Sequence, residues 1–208
     1  MNLPLSTLVN RFIPKEKFYT KTTVNTKLRE LFTSEVEKIV WVNKIAPTTL
    51  NISSGEYEEM QVLEVALKKS DLSQQILKHI DTFIPYPILF VLKKTAMSKL
   101  VISYKEPISS KNNLMKVTTY FETSWQPDIA IELKGRSVDE IYKNYLRQIA
   151  PELDLATKPD VRYAIENSQN RERITKQIEA LNRAIFHEPS VAKQQSLARQ
   201  RNSLEQQL

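Results

Sequence analysis

Residues 88–92 read Ile-Leu-Phe-Val-Leu, five apolar side chains in a row directly behind Pro85 and Pro87. Successive side chains of a strand point to opposite faces, so a run without a polar position is buried on both sides and belongs in the middle of a sheet. Helices must then cover that sheet, and the flanking sequence supplies them. The spacing predicts one helix over residues 25–45, capped by Asn25, with Leu28, Leu31, Phe32, Val36, Ile39 and Val40 on one face and Pro47 ending it. A second starts from a cap at Ser70 or Asp71 and buries Leu72, Ile76, Leu77, Ile80, Phe83 and Ile84. Ser137-Val-Asp-Glu140 spells a capping box, in which the hydroxyl and the carboxylate each satisfy an orphan N–H. Its helix buries Ile141, Tyr145, Leu146 and Ile149 and stops before Pro151.

Residues 50–53, 60–67, 100–104 and 115–122 read as further strands, and residues 129–133 as one more at an edge. Gly55 marks the turn between the first two, and the polar residues 107–113 read as a long hairpin loop. Within 60–67, Gln61, Leu63, Val65 and Leu67 point one way, and Met60, Val62, Glu64 and Ala66 the other. Residues 1–24 form an N-terminal arm in which Pro4 and Pro14 bracket Leu5, Leu8 and Val9. The sum is an α+β fold over residues 1–150: a mixed or antiparallel sheet of about five to six strands packed by helices.

Beyond Pro151 the composition changes. Residues 151–160 read as a linker, and from Asp160 glutamine, asparagine and arginine dominate. Ile174, Ile178, Leu181 and Ile185 repeat at the spacing of a coiled-coil seam. His187-Glu-Pro189-Ser190 breaks that helix, and Ser190 can cap another that carries Leu197, Leu204 and Leu208 along one side. Residues 161–208 are thus expected to fold back as an antiparallel helical hairpin. Its sparse seam makes Ile174, Ile178, Leu181, Ile185, Leu197 and Leu204 candidates for docking on a partner chain or a second copy.

Composition removes several functional classes. Only two glycines occur, Gly55 and Gly135, whereas dinucleotide fingerprints and P-loops need several to bring backbone N–H groups against phosphate. With no cysteine there is no disulfide, thiolate metal site or cysteine nucleophile. The two histidines, His79 and His187, fall on separate helices, so no histidine metal centre is expected, and no resident cofactor is expected either. There is no basic start followed by a long apolar run, nor ~18 apolar residues in succession, so the chain is expected to be cytoplasmic and free of the membrane. Net charge is +6, and residues 1–50 hold eight Lys/Arg against four Asp/Glu. That excess is compatible with phosphate contacts but weak for a dedicated nucleic-acid binder.

Three stretches could carry chemistry. Pro127-Asp128, then Glu132-Leu-Lys134, spells the letters of a PD-(D/E)xK nuclease site. Four residues of extended chain, however, separate the two carboxylates by about 13 Å, too far for one metal ion. Solvated charges on an edge strand are the simpler reading. Glu64, with Glu58, Glu59 and Lys68 nearby, could hold a metal, or could simply pair with a lysine at the sheet edge. The run Tyr120-Phe-Glu-Thr-Ser-Trp125 could stack bases, but Phe121 reads better as core and Trp125 as cover for the sheet edge. Phosphate contacts are better sought at Lys15, Lys17 and Lys21, with Phe18 and Tyr19 between them. No catalytic residue follows from any of this.

A set of short pieces then runs in order along the chain. They are Ile13-Pro-Lys15, Lys17-Phe-Tyr19, Ile45-Ala-Pro-x-Thr-x-Asn51, Gln61-Val, Ile80-Asp, Ile84-Pro-Tyr-Pro-Ile-Leu-Phe90, Tyr104-Lys and Tyr120-Phe-x-Thr-x-Trp125. Together they resemble the bacterial and archaeal family called domain of unknown function 4391, over nearly the whole chain. Members of that family are typically encoded beside helicases and DNA methyltransferases in restriction-like, phage-defence gene clusters. The resemblance implies an accessory subunit of a DNA-directed complex, with a helicase or DNA methyltransferase subunit as partner and DNA as a further contact. The alternative is a divergent metal-dependent nuclease using Glu64 and Lys68.

Overall fold

The computed structural model describes residues 2–19, 25–107, 115–155 and 160–208. The chain divides into two compact units, Met1–Ala150 and Pro151–Leu208. The first holds a six-stranded sheet whose strands lie side by side in chain order. They are β1 (Leu8–Ile13), β2 (Val36–Ile45), β3 (Met60–Leu67), β4 (Ile88–Lys94), β5 (Met97–Pro107) and β6 (Met115–Glu122). Its helices are α1 (Thr26–Glu35), the single turn α2 (Pro47–Leu50), α3 (Gln74–Phe83) and α4 (Val138–Ile149). Every neighbouring pair of strands is antiparallel except β3 and β4, which are parallel. A parallel pair needs a crossover, and α3 provides it.

The apolar run 88–92 is buried at every position, in a central strand. On one face Ile39, Leu63, Val65, Phe90, Leu92 and Val101 pack with Phe32 of α1 and Ile76 and Ile80 of α3. α4 packs against β5 and β6 and buries Val138, Ile141, Tyr142, Tyr145, Leu146 and Ile149. Ser137 caps it by accepting the Glu140 N–H at 3.2 Å, and the Glu140 carboxylate accepts the Arg136 N–H at 2.8 Å.

The structure corrects several expectations. Asn25 caps α1, accepting the Leu28 N–H at 2.8 Å, but the helix ends at Glu35 and not at residue 45. From Val36 the chain is β2, paired on both sides. Val36, Ile39, Val40, Trp41, Val42 and Ile45 are β-branched or aromatic, and that content outweighs their helix-like spacing. Pro47 opens α2, where a missing N–H is harmless. The N-terminal arm is built into the fold: β1 forms the sheet edge beside β2, and Phe18 is buried against Phe32.

Residues 50–53 form no strand. Leu50 ends α2, and Ser53 makes only an isolated bridge to Ser137. Residues 129–133 lie outside the sheet, although Ile129 and Ile131 are buried. The Gln148 side-chain amide takes the place of a neighbouring strand there, accepting the Glu132 N–H at 2.8 Å and donating to the Glu132 carbonyl at 2.9 Å. α3 begins two to three residues later than expected, with Ser73 at its cap position, and Phe83 is exposed. Lys21 and most of the predicted loop 107–113 fall outside the described residues.

The second unit contains a 3-10 turn (Pro151–Leu153), α5 (Val161–His187) and α6 (Val191–Glu205), the two helices forming a hairpin. Leu153 and Leu155, in the predicted linker, are buried, and residues 156–159 lie outside the described residues. Asp160 caps α5 by accepting the Tyr163 N–H at 3.1 Å. Ser190 stands at the cap position of α6, but its hydroxyl makes no capping bond. No helix among the described residues is long and apolar enough to cross a membrane.

Candidate functional site

A fully buried ion pair, Asp81 with Lys105, sits where α3 ends. In a helix the carbonyl of Asp81 would receive the N–H of residue 85, but residue 85 is proline and has none. The ammonium of Lys105 takes that place. Its Nζ lies 3.0 Å from the Asp81 carbonyl, 2.8 Å from that of Ile84 and 2.6 Å from that of Tyr86. The Asp81 carboxylate is 2.9 Å away, and both side chains are 0% exposed. A cation at the negative end of the helix dipole is favoured there.

Lys105 reaches this position from β5 where the partner strand β6 bulges: Tyr104 pairs with Thr119 but Lys105 with Val117, which leaves Thr118 as the extra residue. Two phenols satisfy the β5 backbone opposite that bulge. The Tyr142 hydroxyl accepts the Lys105 N–H at 3.2 Å and donates to the Ser103 carbonyl at 2.6 Å. The Tyr57 hydroxyl donates to the Lys105 carbonyl at 2.8 Å, and the two tyrosine rings meet edge to face at 5.2 Å. Burial pushes Asp81 above the usual carboxylate range, opposed by the nearby Lys105 and by the Tyr120 and Ser103 hydroxyls. Burial likewise pulls Lys105 below the usual lysine range, opposed by Asp81. The ammonium spends its donors on oxygens of the chain itself, and neither charge reaches solvent. The cluster therefore fixes backbone in place and does not present a reactive group to a substrate.

The residues singled out from sequence lie elsewhere. Glu64 pairs with Lys93 at 2.7 Å, with 30% of its side chain exposed, and Lys68 donates instead to the Thr33 carbonyl at 2.9 Å. Glu59 pairs with Lys44. Glu132 pairs with Lys134 at the surface, beside an open cleft of about 670 Å³ that also borders Asp128. Among the described residues no three His, Asp or Glu side chains gather closely enough to hold a metal ion. Lys15 is half-buried and donates to the Val36 carbonyl at 3.1 Å, whereas Lys17 is exposed. Phe121 is half-buried and not core, and Trp125 lies under the Lys99 ammonium, 5.9 Å from its ring centroid.

In the hairpin, Ile174 is buried, and Ile178, Leu181, Ile185, Leu197 and Leu204 are half-buried. The apolar side chains turned outward include Tyr163 and Leu208 and, most exposed, Phe186 at 83% and Val191 at 67%, on either side of the turn. Sequence reasoning passed over Asp81, Lys105, Tyr57 and Tyr142. A signal for the first two was present, an aspartate four residues before a proline and a lysine directly behind the mainly apolar run 100–104. Four of the pieces that carried the family resemblance, at Asp81, residues 84–90, Lys105 and Tyr120, meet at this cluster.

The profile of the family described as "Domain of unknown function (DUF4391)" matches residues 1–208, and the chain belongs to that family. No curated protein and no solved structure matches it.

Proposed function

We propose that this DUF4391 protein is a non-catalytic accessory subunit of a DNA-directed restriction or phage-defence complex, docking on a helicase or DNA methyltransferase subunit through its C-terminal hairpin. The observation that carries the docking is the outward exposure of Phe186 and Val191 at the hairpin turn. Exposed aromatic side chains are the usual anchors of protein interfaces. The seam side chains are half-buried or buried, and among the exposed large apolar side chains of this unit, which include Tyr163 and Leu208, the two at the turn are the most exposed. Glu64, Glu59 and Glu132 each lie against a lysine, and paired acids of this kind are not gathered around a divalent cation. DNA contact, where it occurs, is electrostatic and involves Lys17 and its neighbours Lys15 and Lys21.

The test is purification of the tagged full chain from its native operon, beside a Phe186→Ser/Val191→Ser double variant. A helicase or methyltransferase subunit co-elutes with the wild type and falls at least about tenfold in the variant, since hot-spot residues each carry about 2 kcal/mol or more. A wild-type chain that elutes alone overturns the docking. Pure protein with magnesium or manganese leaves duplex DNA intact; cleavage abolished by Glu64→Ala would replace this reading with a metal-dependent nuclease. Replacing Lys15, Lys17 and Lys21 lowers the salt dependence of DNA binding by ~0.9 for each phosphate that is no longer neutralised.

A further inference from the structure

We propose that the end of α3 is a monovalent-cation site that the chain fills with its own lysine, and that this tethered cation latches the crossover from α3 to β4 onto β5, opposite the bulge of β6. The site consists of four oxygens, the carbonyls of Asp81, Ile84 and Tyr86 and the carboxylate of Asp81, all 2.6–3.0 Å from one nitrogen. Rings of backbone carbonyls replace the hydration shell of a monovalent cation in the same way.

The prolines explain why these oxygens are free. The Ile84 N–H is spent on the Ile80 carbonyl at 3.2 Å, and Pro85 has no N–H, so the Asp81 carbonyl receives neither the three- nor the four-residue helical bond. A turn closing on the Ile84 carbonyl would need the N–H of residue 87, again a proline. The two prolines behind the helix therefore leave the Asp81 and Ile84 carbonyls without these bonds, close to the Tyr86 carbonyl. A compact ammonium suits that point better than a planar guanidinium, because it can donate in three directions at once.

The latch has a definite mechanical consequence. The crossover sets where β4 starts, and the Pro87 carbonyl aligns β4 with β3 by accepting the Gln61 N–H at 2.9 Å. Removing the cation would leave three carbonyls and a buried carboxylate facing one another without the donor they share. The crossover then opens ahead of the rest of the sheet.

The experiment uses the full chain as Lys105→Ala and Lys105→Met, read by amide hydrogen exchange and thermal melting. Propylammonium, potassium and tetramethylammonium chlorides are compared at equal ionic strength. In Lys105→Ala the amides of Ile84, Tyr86 and Ile88 lose protection at least about tenfold more than those of β2, the pattern of local opening. Propylammonium, which restores the deleted atoms, returns that protection saturably, and potassium does so less tightly. Tetramethylammonium has no N–H and does nothing, and Lys105→Met, whose side chain occupies the space, is not rescued. If Lys105→Ala is unfolded as isolated, the readout becomes recovery of the folded fraction with propylammonium. Unchanged protection in Lys105→Ala, or a loss that no cation restores, overturns the proposal. So does a Lys105→Met/Asp81→Asn variant with wild-type protection at the crossover, because an apolar plug would then suffice.

Discussion

Glu35, the last residue of α1, holds Ser73, the residue ahead of α3, through both of the serine's donors. One carboxylate oxygen accepts the Ser73 N–H and the other its hydroxyl, each at 2.7 Å. A serine at a helix start usually caps with its own oxygen. Here Ser73 makes no such bond, and a buried carboxylate from another helix sits at the positive end of α3 instead. The Glu35 carbonyl also accepts the Lys68 N–H at 2.8 Å, so one residue ties together α1, the end of β3 and the start of α3.

Glu35→Ala should therefore destabilise the protein by about 1.5–3 kcal/mol, the range for hydrogen bonds to a charged group. Ser73→Ala should cost less, about 1 kcal/mol, since the Ser73 N–H bond survives. In urea melts the double variant should fall short of the sum of the two. Additive losses would mean that the carboxylate and the serine act independently.

Gly55 packs against Asp139. A Cβ built on Gly55 would lie 2.2 Å from an Asp139 carboxylate oxygen. That carboxylate cannot simply swing aside, because it accepts the Glu56 N–H at 2.9 Å and the Tyr57 N–H at 3.0 Å. Gly55→Ala should cost about 1–2 kcal/mol, the worth of those two bonds. In an Asp139→Ala background, where they are already gone, the same substitution should be nearly neutral. An equal cost in both backgrounds would place the strain in the backbone and not in the contact.

Burial holds the phenols of Tyr57, Tyr120, Tyr142 and Tyr145 well above the usual tyrosine range. Below about pH 10 both folded and unfolded chains keep these protons, and the stability is fully present. Above it the unfolded chain releases protons that the fold retains, so stability falls as pH rises. Urea midpoints should drop steeply beyond about pH 10, with tyrosinate absorbance from these residues appearing only together with unfolding. The Tyr145 hydroxyl is buried without a hydrogen-bond partner among the described residues. Tyr145→Phe should thus be neutral or stabilising by up to about 1 kcal/mol near neutral pH and should soften the alkaline loss. Early, folded-state ionisation of these tyrosines would contradict the assignment.

The sheet's centre and its covering helices were legible because they rest on burial patterns with a fixed period. The all-apolar run 88–92, the alternation in residues 60–67 and the caps at Asn25 and Ser137 each state their own role. The boundary at Glu35 was not legible. Val36, Ile39 and Val40 satisfy helical spacing, and only pairing with strands on both sides makes them β2, a tertiary fact no local window contains. The same holds for β1, whose partner lies more than twenty residues away. The Asp81–Lys105 cluster was hidden for a further reason. Its two charges come from separate elements, and each alone looks like a surface residue until the prolines free the carbonyls between them. In the hairpin the seam spacing was readable, whereas the outward Phe186 and Val191 were not. Periodicity finds what a helix buries and says nothing of what its turn exposes.

Removal of Pro151–Leu208 separates the two units at their own boundary. The first unit contains a core that draws on α1, α3 and the sheet within Met1–Ala150, and its last helix, α4, ends at Ile149. Among the described residues, nothing in that core cluster comes from beyond residue 150. A truncated chain should therefore keep a cooperative thermal transition within a few degrees of the full chain. A destabilisation of about 1 kcal/mol in a domain of this size would move the midpoint by roughly 2–4 °C. The excised part has less to stand on, because α6 is fifteen residues long and buries none of them. Isolated helices of about that length are marginal in water. The truncated chain should lose its co-eluting partner altogether, whereas the Phe186→Ser/Val191→Ser variant loses it with the hairpin still present. A truncated chain that aggregates or melts without cooperativity would show that residues 151–208 help to build the first unit. Retention of the partner by a well-folded truncated chain would instead move the docking surface onto residues 1–150.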